Sequence, residues 1–138
     1  MTTKILTIGI PTYNNPTGIQ NQLEYYLKQK KDNLESSELE VIVSDNSEND
    51  ETKNIVAAFI PRIPELVYIK NIYNVGFDRN LDQVISVSKG NFCWTLSDDD
   101  ILVEGAIEEV LSIIKENQNI SCFIISKDRT KSPAKVTF

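Results

Sequence analysis

Three consecutive carboxylates, Asp98, Asp99 and Asp100, stand in the run Leu96-Ser97-Asp98-Asp99-Asp100-Ile101, directly after the apolar segment Phe92-Cys93-Trp94-Thr95. Like charges this close repel: at about 4 Å, two unit charges interact by roughly 4 kcal/mol at an effective dielectric near 20. A divalent cation relieves that repulsion. Mg²⁺ or Mn²⁺ can take one or two carboxylate oxygens from such a strand end and complete its coordination with water and phosphate oxygens. The competing reading is a helix start, because Asp is a favoured N-cap and acidic residues in a first turn complement the helix dipole, so Asp100 and Glu104 can serve there. A cap needs one side chain and is worth about 1 kcal/mol, which accounts for one carboxylate and leaves two.

The remaining composition narrows the chemistry. The absence of histidine excludes Ser-His-Asp and Cys-His nucleophiles and His-ligated zinc, leaving carboxylates as the obvious acid–base groups. Neither a phosphate-binding G-x-x-x-x-G-K-[ST] loop nor a G-x-G-x-x-G fingerprint is present. A formal net charge of −6 disfavours nucleic acid and anionic membrane surfaces as partners, since both call for clustered Lys and Arg. A single nucleotide is still admissible, because a metal ion supplies positive charge locally.

At 138 residues the chain fits one domain with a real core. No apolar run reaches the roughly 18 to 20 residues of a membrane span, and no signal-peptide pattern opens the chain. A cytoplasmic location is therefore expected, with any peripheral contact at the inner face of a membrane left to regions outside this chain. Cys93 and Cys122 lack metal or redox spacing and are expected as buried free thiols in strands.

The elements that must hold the Asp run follow from periodicity. Residues 5–10 form an apolar run stopped by Pro11, a first strand. Ile19, Leu23, Tyr26 and Leu27 then recur at helical spacing, with Thr17 as the candidate cap and an end near residue 31. Residues 39–44 form a second strand ended by Asp45-Asn46-Ser47. A helix capped by Asn49 or Asp50 carries Ile55, Val56 and Phe59 and stops at Pro61. Residues 66–69 are a third strand. Residues 78–89 are a third helix with Leu81, Val84, Ile85 and Ser88 on one face and Gly90 as a left-handed stop. Residues 92–96 are a fourth strand, residues 103–117 a helix with Ala106, Ile107, Val110, Leu111 and Ile114 inward, and residues 121–126 a fifth strand. Residues 127–138 read as a polar tail or the start of a further region, so the domain is placed at residues 1–126.

Strands alternating with helices argue for an α/β fold: a mainly parallel, Rossmann-like sheet with helices on both faces. Ligands of such sheets sit beyond the carboxyl ends of the strands. That rule places Pro11-Thr12-Tyr13, Asp45 and the Asp run on one rim.

With those strand ends placed, Ile8-Gly9-Ile10-Pro11-Thr12-Tyr13-Asn14, Val41-Ile42-Val43-Ser44-Asp45-Asn46-Ser47, Asn74-Val75-Gly76-Phe77-Asp78-Arg79-Asn80 and Leu96-Ser97-Asp98-Asp99-Asp100 resemble the successive motifs of the family 2 glycosyltransferases. The likeness covers most of residues 4–125. The LSDDD ending, with Ile101-Leu102 and Gly105-Ala106, is similar to a branch that includes abequosyltransferase-like enzymes. The resemblance implies the GT-A fold, a nucleotide-diphosphate sugar donor, a divalent Mn²⁺ or Mg²⁺ ion bound at a DXD-type motif, and inversion at the anomeric carbon.

By that resemblance Asp98 binds the ribose or diphosphate region, Asp99 ligates the metal, and Asp98 or Asp100 stands as an alternative or supporting ligand. Ser97 occupies the place where many relatives carry a further Asp, which leaves the division between Asp98 and Asp99 open. Asp45 matches the residue that accepts from the nucleobase. Uracil and thymine offer an N3–H donor where cytosine has an acceptor, so UDP- or dTDP-sugars are favoured over CDP- or GDP-sugars. The bland alternative for Asp45 is an Asx turn closing its strand. Pro11, Thr12 and Tyr13 would line the base pocket, although Tyr13 can equally close the core. Arg79, preceded by Asp78 where the family has Ala, can reach base or diphosphate as a planar donor or pair with Asp78 or Asp82 on its helix. Gly76 is assigned to the backbone turn.

The base that deprotonates the acceptor lies downstream of the Asp cluster in the family, and Glu104, Glu108 and Glu109 read as helix-start and solvent-facing residues. The chain is therefore expected to be the donor-binding part of a longer, truncated transferase acting on a saccharide or lipid-linked acceptor. A non-catalytic nucleotide-sugar-binding or interaction module is the alternative. A nucleotidyltransferase is a more distant one, for want of a Gly-rich triphosphate loop.

Overall fold

The computed structural model describes residues 3–30, 34–125 and 136–137. Four strands, β1 (Leu6–Thr12), β2 (Leu39–Asp45), β3 (Leu66–Lys70) and β4 (Phe92–Thr95), form one parallel sheet in the order β3-β2-β1-β4. Every residue of β1 and β2 is buried, as expected of central strands covered on both faces, whereas β3 and β4 are edge strands and partly exposed. Register runs Leu6 beside Leu39 to Thr12 beside Asp45 on one side, and Leu6 beside Phe92 to Gly9 beside Thr95 on the other.

Helix α1 (Pro16–Lys30) begins with Pro at its first position, and Asn15 caps it by accepting from the Gly18 N–H at 3.0 Å. Asn15 thus takes the place expected of Thr17, because its carboxamide reaches the third helical N–H and Thr17 already lies inside the helix. Helices α1, α2 (Glu51–Phe59) and α4 (Ala106–Glu116) share one hydrophobic core with the sheet: Ile19, Leu23, Val56, Phe59, Ile107 and Leu111 pack with Ile8, Ile10, Val41 and Val43. One polar cluster interrupts this core. Tyr26 donates to Glu65 Oε1 at 2.6 Å and Lys30 donates to Oε2 at 3.0 Å. Burial alone would raise the Glu65 pKa, but the hydrogen bonds from Tyr26 and Lys30 outweigh it and hold the carboxyl below its ordinary value, while burial and that carboxylate push the Tyr26 hydroxyl upward.

Helix α3 (Phe77–Val87) lies on the opposite face, against β1, β2 and β4. Gly9 makes the approach possible: a Cβ there would stand 2.1 Å from Val84 Cγ1. Val84 is buried as expected, but Ile85 is exposed and Asn80 is buried in its stead, because α3 turns a carboxamide edge toward the strand ends. Gly90 is not the left-handed stop read from the sequence; the positive-φ glycines are Gly76 and Gly105. Its lack of a side chain lets it sit against β1, where a Cβ would be 2.5 Å from the Thr7 nitrogen, and its N–H donates to Thr7 Oγ1.

The fifth strand shrinks to β5 (Ile124–Ile125), which pairs antiparallel with β6 (Val136–Thr137) in a separate ribbon and does not extend the parallel sheet. Residues 126–135, most of the expected tail, lie outside the described residues. Cys93 is a half-buried thiol whose pKa burial raises, and Cys122 is exposed outside any strand, contrary to the expectation of two buried thiols; both are free. Among the described residues no helix is long and apolar enough to cross a membrane.

Candidate functional site at the carboxyl ends of β1 and β4

Chain order and sheet order part company between β1 and β4: the first three strands run outward from β1 in one direction, and the chain then crosses under α3 to add β4 on the other side. In open α/β sheets a crevice forms at this switch point beyond the strand ends, here between α1, which follows β1 on one face, and α3, which leads into β4 on the other. A cleft of about 480 Å³ opens there, lined by Pro11 and Thr12 of β1 and Tyr13 just after it, Ser97 and Asp98 after β4, and Gly76, Phe77 and Asn80 at the start of α3.

One hydrogen bond spans the crevice floor. Thr12 Oγ1, almost fully buried, donates to Asp98 Oδ2 at 2.7 Å. The other two carboxylates of the Asp run both turn to Ser97: its Oγ donates to Asp99 Oδ1 at 2.5 Å, and its N–H donates to Asp100 Oδ2 at 2.9 Å. The repulsion anticipated from three adjacent charges is thus offset by a protein donor to each carboxylate. Ser97 is the common donor of the turn, and Asp100 closes it with its N–H to the Ser97 carbonyl at 3.1 Å.

Residues 96–105 form no helix or strand, so other elements must fix them. Two buried glutamines of α1, seven residues apart, do so. Gln22 Nε2 donates to the carbonyls of Ser97 and Asp100, while Gln29 donates to the Val103 carbonyl and accepts from the Ile107 N–H, each at 3.0 Å. Gln29 thereby serves the start of α4, where Gly105 at φ 77° has no side chain to cap with.

Carboxamides hold the opposite wall. Asn80 Nδ2 donates to the Ser44 carbonyl at 3.0 Å, and Asn71 donates to Asn46 Oδ1 at 2.8 Å. Asn46 in turn donates to the Gly76 carbonyl at 3.2 Å, and Gln83 donates to Asn71 Oδ1 and Ser44 Oγ. This network ties the ends of β2 and β3 to the turn before α3. Gly76 meets the turn requirement read from the sequence, with φ 88°.

The expected site residues therefore divide. Pro11, Thr12, Tyr13 and Asp98 share the cleft, with Tyr13 half exposed. Asp99 is exposed beside it. Asp45 lies at the same end of the sheet but is fully buried and engaged by the protein: Oδ1 accepts from the Ser47 N–H at 2.8 Å, Oδ2 accepts from the Tyr68 hydroxyl at 2.7 Å, and Lys70 stands 3.4 Å away. Burial, followed by that carboxylate, pushes the Tyr68 hydroxyl pKa up. Its sequence neighbour Asn46 is the one that reaches the cleft wall. Arg79 is exposed on the first turn of α3, outside the cleft lining.

The family model described as glycosyl transferase family 2 matches residues 7–136. The chain belongs to glycosyl transferase family 2. It is 29% identical over 104 residues to abequosyltransferase RfbV of Salmonella typhimurium, covering 75% of this chain and 30% of that protein. It is 30% identical over 112 residues to the GalNAc(5)-diNAcBac-PP-undecaprenol beta-1,3-glucosyltransferase of Campylobacter jejuni, covering 80% and 35%. Among solved structures, S. aureus TarS 1-349 in complex with UDP-GlcNAc superposes with a TM-score of 0.70 at 21% identity over 83% of this chain and 32% of that one. The mannosyltransferase PcManGT of Pyrobaculum calidifontis, in complex with GDP-Man and Mn2+, gives 0.68 at 20% identity over 79% and 32%. These likenesses establish the GT-A fold. The chain spans about a third of the length of the curated relatives it matches.

For this family 2 domain, the motif reading found the cleft but missed Gln22, Gln29, Asn46, Asn71, Asn80 and Gln83 as its supports. Only Asn46 and Asn80 lay within quoted motifs, and Gln22 and Gln29 share the buried stripe of α1, where a polar residue at a core position was the available signal. A divalent cation is implied by the family. Among the described residues no three His, Cys, Asp or Glu side chains converge to hold an ion by themselves. Asp98 in the cleft and Asp99 beside it nevertheless fit a hard cation that draws its other ligands from water and a bound diphosphate.

Proposed function

We propose that this chain forms the donor side of an inverting glycosyltransferase, with a nucleotide-diphosphate sugar held in the cleft between the ends of β1 and β4. The observation that carries the proposal is the Thr12 to Asp98 hydrogen bond, which sets an acidic side chain at the switch-point crevice. Asp98 contacts the ribose or diphosphate and Asp99 ligates Mn²⁺ or Mg²⁺, with Asp98 or Asp100 as the supporting ligand. A cation bound there offsets charge on the departing diphosphate. In the reaction the bond from the anomeric carbon to the diphosphate oxygen breaks, and a bond to an acceptor hydroxyl forms on the opposite face. No described residue is assigned as the base that takes the acceptor proton.

Pro11 and Thr12 offer backbone groups to the base edge while the Tyr13 ring packs beside it. Asp45, engaged by Ser47, Tyr68 and Lys70, acts on the base through the loop it anchors, and Arg79 swings from α3 toward the diphosphate. A uridine or thymidine donor is favoured by the family motif. The UDP-GlcNAc complex of TarS supports uridine, and the GDP-Man complex of PcManGT keeps guanosine in view. The acceptor is a saccharide or lipid-linked glycan in surface polysaccharide or glycan assembly, in keeping with the names of the relatives.

Calorimetric titration with UDP tests the proposal. Binding is expected to require Mn²⁺ and to be lost in Asp99→Asn while the fold is retained. Absent or metal-independent binding by the folded wild-type chain would overturn it.

A further inference from the structure

We infer that Gly18 and Gln22 of α1 are positioning residues, a two-residue seat that sets where the Asp98 and Asp99 carboxylates stand toward a donor diphosphate and its cation. The inference rests on the donor-site reading above and goes beyond it by naming residues outside every family motif in the sequence.

Gln22 is buried to 1% exposure, and its single Nε2 donates to Ser97 and Asp100 carbonyl oxygens at 3.0 and 2.5 Å. Those two residues bracket Asp98 and Asp99, so both protons of one amide clamp the acidic turn at its two ends. Gly18 lies one helical turn earlier on the same face. A Cβ there would collide with the capping Asn15 side chain and with the Asp98 carbonyl oxygen, so the helix backbone meets the turn between the two clamped points as well as its own cap. Three successive contacts along α1 therefore fix the main chain from which the two carboxylates project.

Packing alone does not account for Gln22, and Gly18 serves the turn in addition to the Asn15 cap. Their neighbours on the buried stripe are Ile19, Leu23 and Tyr26, and Gln22 Oε1 is buried without a hydrogen-bond partner. A buried carboxamide with one orphaned end destabilises relative to an apolar side chain of the same shape, and glycine inside a helix destabilises relative to alanine. What both gain is the placement of the acidic turn. A main chain held against a rigid helix keeps its carboxylates in register with a ligand, which is how outer residues govern metal affinity.

The test is calorimetric titration of Mn²⁺ into the full chain with UDP present, comparing wild type, Gln22→Met, Gly18→Ala and the core control Leu23→Ala. The readout is the Mn²⁺ dissociation constant multiplied by the folded fraction measured for each variant, because a protein in folding equilibrium binds with an apparent constant raised by the reciprocal of that fraction. Gln22→Met and Gly18→Ala are each expected to weaken Mn²⁺ binding by about tenfold or more. Leu23→Ala, although less stable, should keep the wild-type constant within about twofold, well inside that range. A smaller loss in both seat variants, an equal loss in Leu23→Ala, or failure of both seat variants to fold overturns the seat. Wild type that binds no Mn²⁺ with UDP overturns the donor-site reading itself, and that outcome is read before any variant is made.

Discussion

The two faces of the sheet are built from different materials. Under α1, α2 and α4 the contacts are mostly aliphatic and aromatic, broken by the Tyr26–Glu65–Lys30 cluster and by Gln22 and Gln29, which reach out to the acidic turn and the start of α4. Under α3, Val84 packs on Gly9, while Asn71, Asn80, Gln83 and Ser44 run as hydrogen-bonded amides and hydroxyls toward the cleft. Apolar burial is non-directional and tolerates small shifts, whereas a carboxamide network has one satisfied geometry. The first face supplies most of the stability and the second supplies the placement of the cleft wall. The difference teaches that stability and binding can be perturbed separately in this domain.

The largest expected effect lies on the apolar face. Ile8→Ala should destabilise the domain by about 3 kcal/mol in chemical denaturation while leaving the UDP affinity of the folded protein unchanged. A matching loss of affinity would erase the contrast between the faces. Asn80→Ala should cost less, about 1 to 2 kcal/mol, because it removes a buried carboxamide that donates to the Ser44 carbonyl and accepts from Asn71, and UDP affinity should fall with it. Full affinity in that variant would reduce the amide face to a second core.

The smallest expected effect concerns the polar exception on the apolar face and is read against pH. Glu65 has a folded pKa below its ordinary value of 4.5. Its contribution is therefore complete above that value and is lost as pH falls through the lower folded one, where the unfolded chain has already bound the proton. The melting temperature should drop on acidification below about pH 4.5, and Glu65→Gln should show a shallower drop from a lower starting point. An identical acid profile in that variant would remove Glu65 from the balance.

The strands and helices were legible because continuous apolar runs and helical spacing mark central strands and buried helix faces, and Pro11, Pro16 and Pro61 punctuate them. The rim was legible because parallel topology sends every strand end to the same side, which places Thr12 and Asp98 on one rim. Hydrophobic periodicity says nothing about which polar residue on a buried face will find a distant carbonyl, so Gln22, Gln29 and Asn71 carried no readable role. Asp45 shows the reverse. Its type and motif point to a ligand, yet Tyr68 and Lys70 on the neighbouring strand determine that its oxygens face inward. Gly90 was misread because a glycine needed for close approach and one needed for positive φ look alike in sequence.

Thr12 and Asp98 are 86 residues apart in the chain. Loop-closure entropy opposes such distant pairings until the intervening structure has formed, so contacts of this separation depend on global rather than local order. The crevice exists only where β4 lies beside β1, so the site belongs to the completed sheet and to no shorter stretch of the chain.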